Sequence, residues 1–153
     1  MPSPDPVSIS SRFRQMMCAR CEGLSSEALH RVPAGYSGSL AWHLGHAMVT
    51  TGLLVQGRCG LPHPLGDEAV ATFRKGTTAA DLKRTYTVAE FADWAERSLA
   101  AVAADRAAGR LDAFQAYQTS AGFDLTTVDE ALAFLAAHDG IHLGYILALA
   151  RAA

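Results

Sequence analysis

Apolar residues recur at three- and four-residue steps along most of this chain, and alternation of the strand type is almost absent. From Val7 to Glu22, Ile9, Phe13, Met16, Met17 and Arg20 mark one helical face. Prolines at 2, 4 and 6 form a short extended lead-in, and Gly23 ends the first helix. Ser25 to Arg31 reads as a further short helical stretch before Pro33. Ser39 is a good N-cap for a second long helix from about Leu40 to Gln56, closed by Gly57. Between Gly57 and Thr87, glycines and prolines interrupt every periodic window, so mainly irregular chain is expected, with one turn of helix. Thr87-Val-Ala-Glu90 and Thr127-Val-Asp-Glu130 both fit the capping box, in which Thr and Glu satisfy each other's free amides. The third helix then runs to about Ala108, with Gly109 as its terminator, and the fourth runs to the C-terminus. Leu111 to Thr126 is a second, shorter connection.

Four long helices and no strand pattern predict an all-α fold, a four-helix bundle. A connection near thirty residues is long for antiparallel neighbours, usually joined by about 2–8. It suits a crossover that carries the chain from one end of the bundle to the other, making the second and third helices parallel: an up-down-down-up arrangement. At 153 residues the chain reads as a single domain over 1–153.

Composition narrows the function classes. Half the residues are hydrophobic, enough for one core, and 13 Lys and Arg against 15 Asp and Glu leave a net charge of −2. A surface that tracks phosphates carries a basic excess, so nucleic acid is not an expected partner. No apolar run approaches the roughly 20 residues of a membrane span, and Met1-Pro-Ser-Pro-Asp-Pro6 lacks the basic and apolar regions of a secretory signal. Three cysteines do not make a disulfide framework. A cytoplasmic protein with no membrane partner is expected.

The candidate chemistry lies in the histidines. On the fourth helix Val128, Ala131, Leu135, His138, His142, Tyr145 and Leu149 advance by alternating steps of three and four, a seam that faces a bundle interior. His138 and His142 stand at i, i+4, near enough to share one ion. Two core histidines with ordinary hydrogen bonds are the plainer reading. Protonated side by side, however, they repel, and neutral each still needs a partner; a divalent metal satisfies both. The second helix adds His43 and His46 within Trp42-His-Leu-Gly-His46, and periodicity does not choose between them.

Trp42-His-Leu-Gly-His46 in the second helix, with His138-Asp-Gly-Ile-His142-Leu-Gly144 in the last, resembles the DinB-like superfamily of metalloenzymes. The stretch from Tyr117 through Thr127-Val-Asp-Glu-Ala-Leu132 is similar to members of that group, and the resemblance spans essentially the whole chain. It implies a bundle with a long crossover between the second and third helices. It implies a three-histidine metal centre too, whose ligands map to His46, His138 and His142. Many members carry Gln after the Gly of the last motif, where Tyr145 stands here. Characterised relatives include thiol-dependent S-transferases and an isomerase that use bacterial thiols in place of glutathione. The resemblance therefore implies a low-molecular-weight thiol as cosubstrate, a small-molecule substrate, and a homodimer, which is common among relatives.

Three neutral imidazoles leave the charge of a divalent ion uncompensated and a coordination position open, a strong Lewis acid. Activation of an anionic sulfur nucleophile and hydrolysis through an activated water both suit it; a non-catalytic, metal-stabilised bundle that binds a small ligand or itself is the alternative. Imidazole suits zinc, nickel and iron; zinc is expected on abundance. The remaining candidates have modest readings. Cys18 and Cys21 form a C-x2-C without a second pair and read as semi-buried small residues, with Cys59 a bystander. His63 between two prolines reads as an exposed loop residue that could swing to the metal. Asp139, about 100° round the helix from His138, is poorly placed to orient its neighbour's ring. Trp42, Trp94 and Phe91 read as core or pocket wall. Tyr36, Thr50 and Tyr145 are candidates to face the open side of the ion.

Overall fold

A computed structural model describes residues 4–153. Its helices are α1 (Pro6–Cys21), α2 (Ser26–His30), α3 (Leu40–Leu54), α4 (Asp67–Phe73), α5 (Val88–Ala107) and α6 (Val128–Leu149). A two-stranded antiparallel ribbon, β1 (Tyr117–Gln118) and β2 (Asp124–Leu125), pairs Tyr117 with Leu125. The all-α assignment holds. The ends follow local chemistry: Ser39 accepts from the Trp42 amide, and Thr87 and Thr127 each close a reciprocal box with Glu90 and Glu130. Pro2 lies outside the described residues, and Pro6 already opens α1 behind an Asp5 cap.

The long helices α1, α3, α5 and α6 form the bundle, with α1 and α3 each packed against both α5 and α6. Cross-links fix the directions. Arg14 meets Asp139 and Arg20 meets the Ala150 carbonyl, so α1 and α6 run parallel. His43 meets His142 and His46 meets His138, so α3 opposes α6. Arg14 joins Ser98 to Thr51 while Gln56 meets Asp105, so α3 and α5 run parallel. Up-down-down-up follows, and parallel α3 and α5 are what the crossover makes possible.

The crossover is more ordered than its glycines and prolines suggest. Asp67 and Glu68 supply negative charge at the start of the seven-residue α4. Flanked by 3-10 turns at Gln56–Cys59 and Ala79–Asp81, it packs on the outer face of α3. That is why α3 is buried nearly all round rather than along one stripe. The ribbon in the second connection, too short to show alternation, is the other element the periodicity does not predict.

Two helix faces differ from the sequence reading. In α1 the buried residues are Ser10, Arg14, Met17, Cys18 and Cys21; of the face read from the sequence only Met17 is among them, Ile9 and Phe13 being half-buried and Met16 and Arg20 exposed. The stripe is turned because Arg14 enters the core. In α6 the buried residues are Ala131, Leu132, Leu135, Ala136, Asp139, Leu143, Ile146 and Leu149, so Ala131, Leu135 and Leu149 of the expected seam face the core while His138, His142 and Tyr145 stand on its flank, half-buried. By length and composition α6 is apolar enough to cross a membrane, contrary to the expectation that no such run exists. Here it packs in the bundle, with Asp139 paired at its centre.

That centre divides the core. One apolar cluster, with Met17, Leu44, Phe73, Phe91 and Ile146, fills the end near the histidines; a second, with Leu54, Leu99, Val102, Leu132 and Leu135, fills the other. Between them the fully buried Arg14 guanidinium reaches all three other long helices. It donates to Asp139 Oδ2 (2.8 Å), Ser98 Oγ (3.0 Å), Thr51 Oγ1 (2.7 Å) and the Ala47 carbonyl (3.0 Å).

Candidate metal centre

The six histidines fall into two kinds. His30 and His63 use both ring nitrogens on the backbone. His30 Nδ1–H donates to the Ser26 carbonyl and its Nε2 accepts from the Tyr86 amide; His63 Nε2–H donates to the Val49 carbonyl and its Nδ1 accepts from the Leu65 amide. His63 is thus neither exposed nor aimed at the other rings: it braces the crossover against Gly52, where a Cβ would fall 2.3 Å from its Nε2. The other four gather on the facing sides of α3 and α6. Nε2 of His46 and His138 are 3.3 Å apart, and Nδ1 of His43 and His142 are 3.0 Å apart.

His46, His138 and His142 each offer a ligand atom within 4.8 Å of the others. Nitrogens held at about 2.0–2.1 Å round a tetrahedral ion stand about 3.3–3.4 Å from one another, which is the spacing of the His46 and His138 pair. Such a cluster can hold a divalent metal. His43 stands beside it, on Nδ1 of His142, which leaves Nε2 of His142 for an ion. Asp139 supplies no ligand, since its carboxylate is engaged by Arg14.

The Trp42 to His46 motif has a distinct task for nearly every position. Gly45 lets the Phe73 ring lie where a Cβ would be 2.3 Å away. The Phe73 carbonyl thereby reaches Nδ1 of His46 at 2.8 Å. A carbonyl only accepts, so Nδ1 carries the proton and Nε2 keeps its lone pair for an ion. Trp42 stacks on His46 at 4.8 Å, its own Nε1–H donating to Thr77 Oγ1. Two crossover residues, Phe73 and Thr77, therefore set the ring, and neither was a candidate in the sequence. Phe73 acts through its backbone, which no side-chain pattern reveals. A signal for α4 itself was present in Asp67-Glu68 after Gly66.

Burial pushes the imidazoles down: His43 and His46 to about 4, His142 to about 2, with the neighbouring histidines adding repulsion. They stay neutral near pH 7, the state a metal ligand requires. His43 Nε2 and His138 Nδ1 are buried without a hydrogen-bond partner. Protein interiors rarely leave such atoms orphaned. The donor set and its spacing fit a divalent ion.

A family model of the DinB superfamily matches residues 11–146. The chain belongs to the DinB superfamily. No individually curated protein matches it. The family match runs from within α1 through most of α6, and so includes all three histidines of the cluster.

Of the other candidates, Tyr145 packs on His43 at 4.3 Å and meets Tyr36 edge-on at 5.9 Å, so both phenols lie beside the cluster. Thr50 instead donates to the His46 carbonyl within α3. Phe91 is core; Trp94 packs on Phe73 and Tyr86. Cys18 and Cys21 are buried rather than semi-buried, and burial raises their thiols to about 11 and 12, which keeps them inert. Cys59 donates weakly to the Leu111 carbonyl.

Proposed function

We propose that this DinB-superfamily chain is a metal-dependent transferase that joins a low-molecular-weight thiol to an electrophilic small molecule. The observation that carries the reading is the donor set: three imidazoles and no carboxylate. When bound, a divalent ion keeps its full charge there and supplies the Lewis acidity that favours thiolate over thiol near pH 7. The thiol loses its proton to solvent, and its sulfur bonds to the electrophilic carbon as the leaving group departs with the bonding pair. His46, His138 and His142 hold the ion; Phe73 and Trp42 keep His46 in register; Tyr36 and Tyr145 line one side and orient the substrate. Zinc is the preferred ion, with nickel or iron as the alternatives. The reaction belongs in a reducing cytosol, where the three free cysteines are at home. A homodimer is the assembly we favour, with exposed Phe123 and Ile141 as apolar surface to cover.

The test is elemental analysis of purified protein, followed by turnover of an aryl halide with a bacterial thiol before and after chelation. About one ion per chain is expected, with both ion and turnover lost in His138→Ala. Metal-loaded protein inert with every thiol and ester, whose apo form is equally stable, overturns the reading. A second reading draws on ligands contributed by both α3 and α6: the ion staples the bundle without catalysis. It is favoured if chelation lowers the melting temperature and no activity is found. Ester cleavage without thiol points to a hydrolase.

A further inference from the structure

The tautomers of the cluster are constrained from outside. Phe73 fixes the proton of His46 on Nδ1, so Nε2 of His46 accepts. His138, 3.3 Å away, completes that contact only by donating from its own Nε2. In a neutral ring its Nδ1 is then a lone pair, buried, without a partner, and 3.9 Å from Asp139 Oδ1. A lone pair facing a carboxylate is unfavourable. The other tautomer, with the proton on Nδ1, turns that repulsion into attraction and frees Nε2 to bind an ion.

We propose that Asp139 is a positioning residue for the metal centre: its carboxylate favours the Nδ1–H form of His138, and Arg14 holds that carboxylate in place. The geometry leaves Oδ1 available. Arg14 Nε takes Oδ2 at 2.8 Å, whereas Oδ1 receives only the longer 3.3 Å contact from Nη2. The sequence reading set Asp139 aside because it lies 100° round the helix from His138. Its partner on α1 pins the carboxylate between the two rows, which helical angle alone does not convey. The same guanidinium touches all three other long helices, so His138 is referenced to the whole bundle.

This inference rests on the metal reading of the site, and the experiment separates the two. In Asp139→Asn the single amide oxygen is claimed by Arg14 Nε, which places the NH2 group toward His138 and removes the acceptor. In the double variant Arg14→Met/Asp139→Leu both charges go, and a buried pair replaced by apolar residues commonly keeps its fold. Zinc affinity is read by chelator competition, the ligand field by cobalt absorption, and apo stability by thermal melting. Zinc affinity falls about 10–100-fold in both variants, the usual cost of losing the acceptor behind a ligating histidine. In the double variant it stays low although the melting temperature recovers, and the cobalt bands shift. Either folded variant binding zinc within about threefold of the parent overturns the inference, and affinity that recovers together with stability does the same. A parent chain that takes up none of zinc, cobalt or nickel overturns the metal reading and this inference together.

Discussion

Two polar clusters sit inside one apolar bundle, a single helical step apart on α6, and they are finished in opposite ways. Around Arg14 the protein supplies its own answer: every guanidinium nitrogen donates to an acceptor on another helix, and both carboxylate oxygens of Asp139 accept. Around His46 and His138 it does not. Like groups face each other at 3.3 Å, and His138 Nδ1 and His43 Nε2 have no partner. Buried polar groups are stable when paired and costly when not. The first cluster is a clamp that the folded chain completes by itself, with no further group needed. The second leaves ring nitrogens facing each other across a gap that an ion can fill, which fits a metal site. Its flank position on α6 also leaves it partly open to solvent, while the clamp is sealed.

The sharpest way to break the comparison is truncation on the clamp side. Arg14→Ala strands a buried carboxylate and is expected to cost about 3–5 kcal/mol in denaturant unfolding. His138→Ala, in metal-free protein, removes a ring with an orphaned nitrogen and is expected to cost about 1 kcal/mol or less. Equal losses in the two apo proteins would erase the distinction. Acid probes the same contrast from the histidine side. His43 and His46 sit at about 4 in the fold and His142 at about 2, against 6.5 for the free side chain. The unfolded chain therefore binds more protons than the folded one below pH 6.5, and stability contributed by these neutral rings is present above 6.5 and lost as pH falls toward 4. A gap from 6.5 to 4 amounts to about 2 kcal/mol at pH 5 for one such group. Melting of metal-free protein between pH 7.5 and pH 5 should show the fall. A flat profile would mean that the rings are not held neutral by burial.

How much of this was legible in the sequence depends on whether a feature is made by side chains at helical spacing. Ser39, Thr87 and Thr127 announce their helices because a cap is a contact between near neighbours. The long glycine- and proline-broken stretch after Gly57 implies the crossover, and with it the parallel pair. The i, i+4 spacing of His138 and His142 and the choice left open between His43 and His46 bring the cluster within reach of reading. Arg14 was missed because an Arg on a helix face reads as solvated; its partner Asp139 lies 125 residues away, and only the fold introduces them. A stripe of Ser10, Met17, Cys18 and Cys21 around it was the available hint. The carbonyl of Phe73 has no sequence signature at all, and the ribbon at Tyr117 is two residues per strand.

The smallest expected effect is the most diagnostic for the crossover's part in the site. Gly45 and Gly52 lie two helical turns apart on α3, and each lets the crossover touch the helix backbone. A Cβ at Gly45 falls 2.3 Å from the Phe73 ring; one at Gly52 falls 2.3 Å from His63 Nε2. Ala at either position forces a similar displacement, and each is expected to cost about 1–3 kcal/mol as overpacking. Their consequences for metal diverge. Gly45→Ala pushes away the residue whose carbonyl holds the Nδ1 proton of His46, so zinc affinity should fall about 10-fold. Gly52→Ala disturbs a histidine that serves only the backbone, and zinc affinity should not change. Matched melting losses with a difference in chelator competition would show the crossover acting on His46 through Phe73. Matched losses in both measurements would mean that α4 merely covers α3, and that His46 is aligned by its own helix.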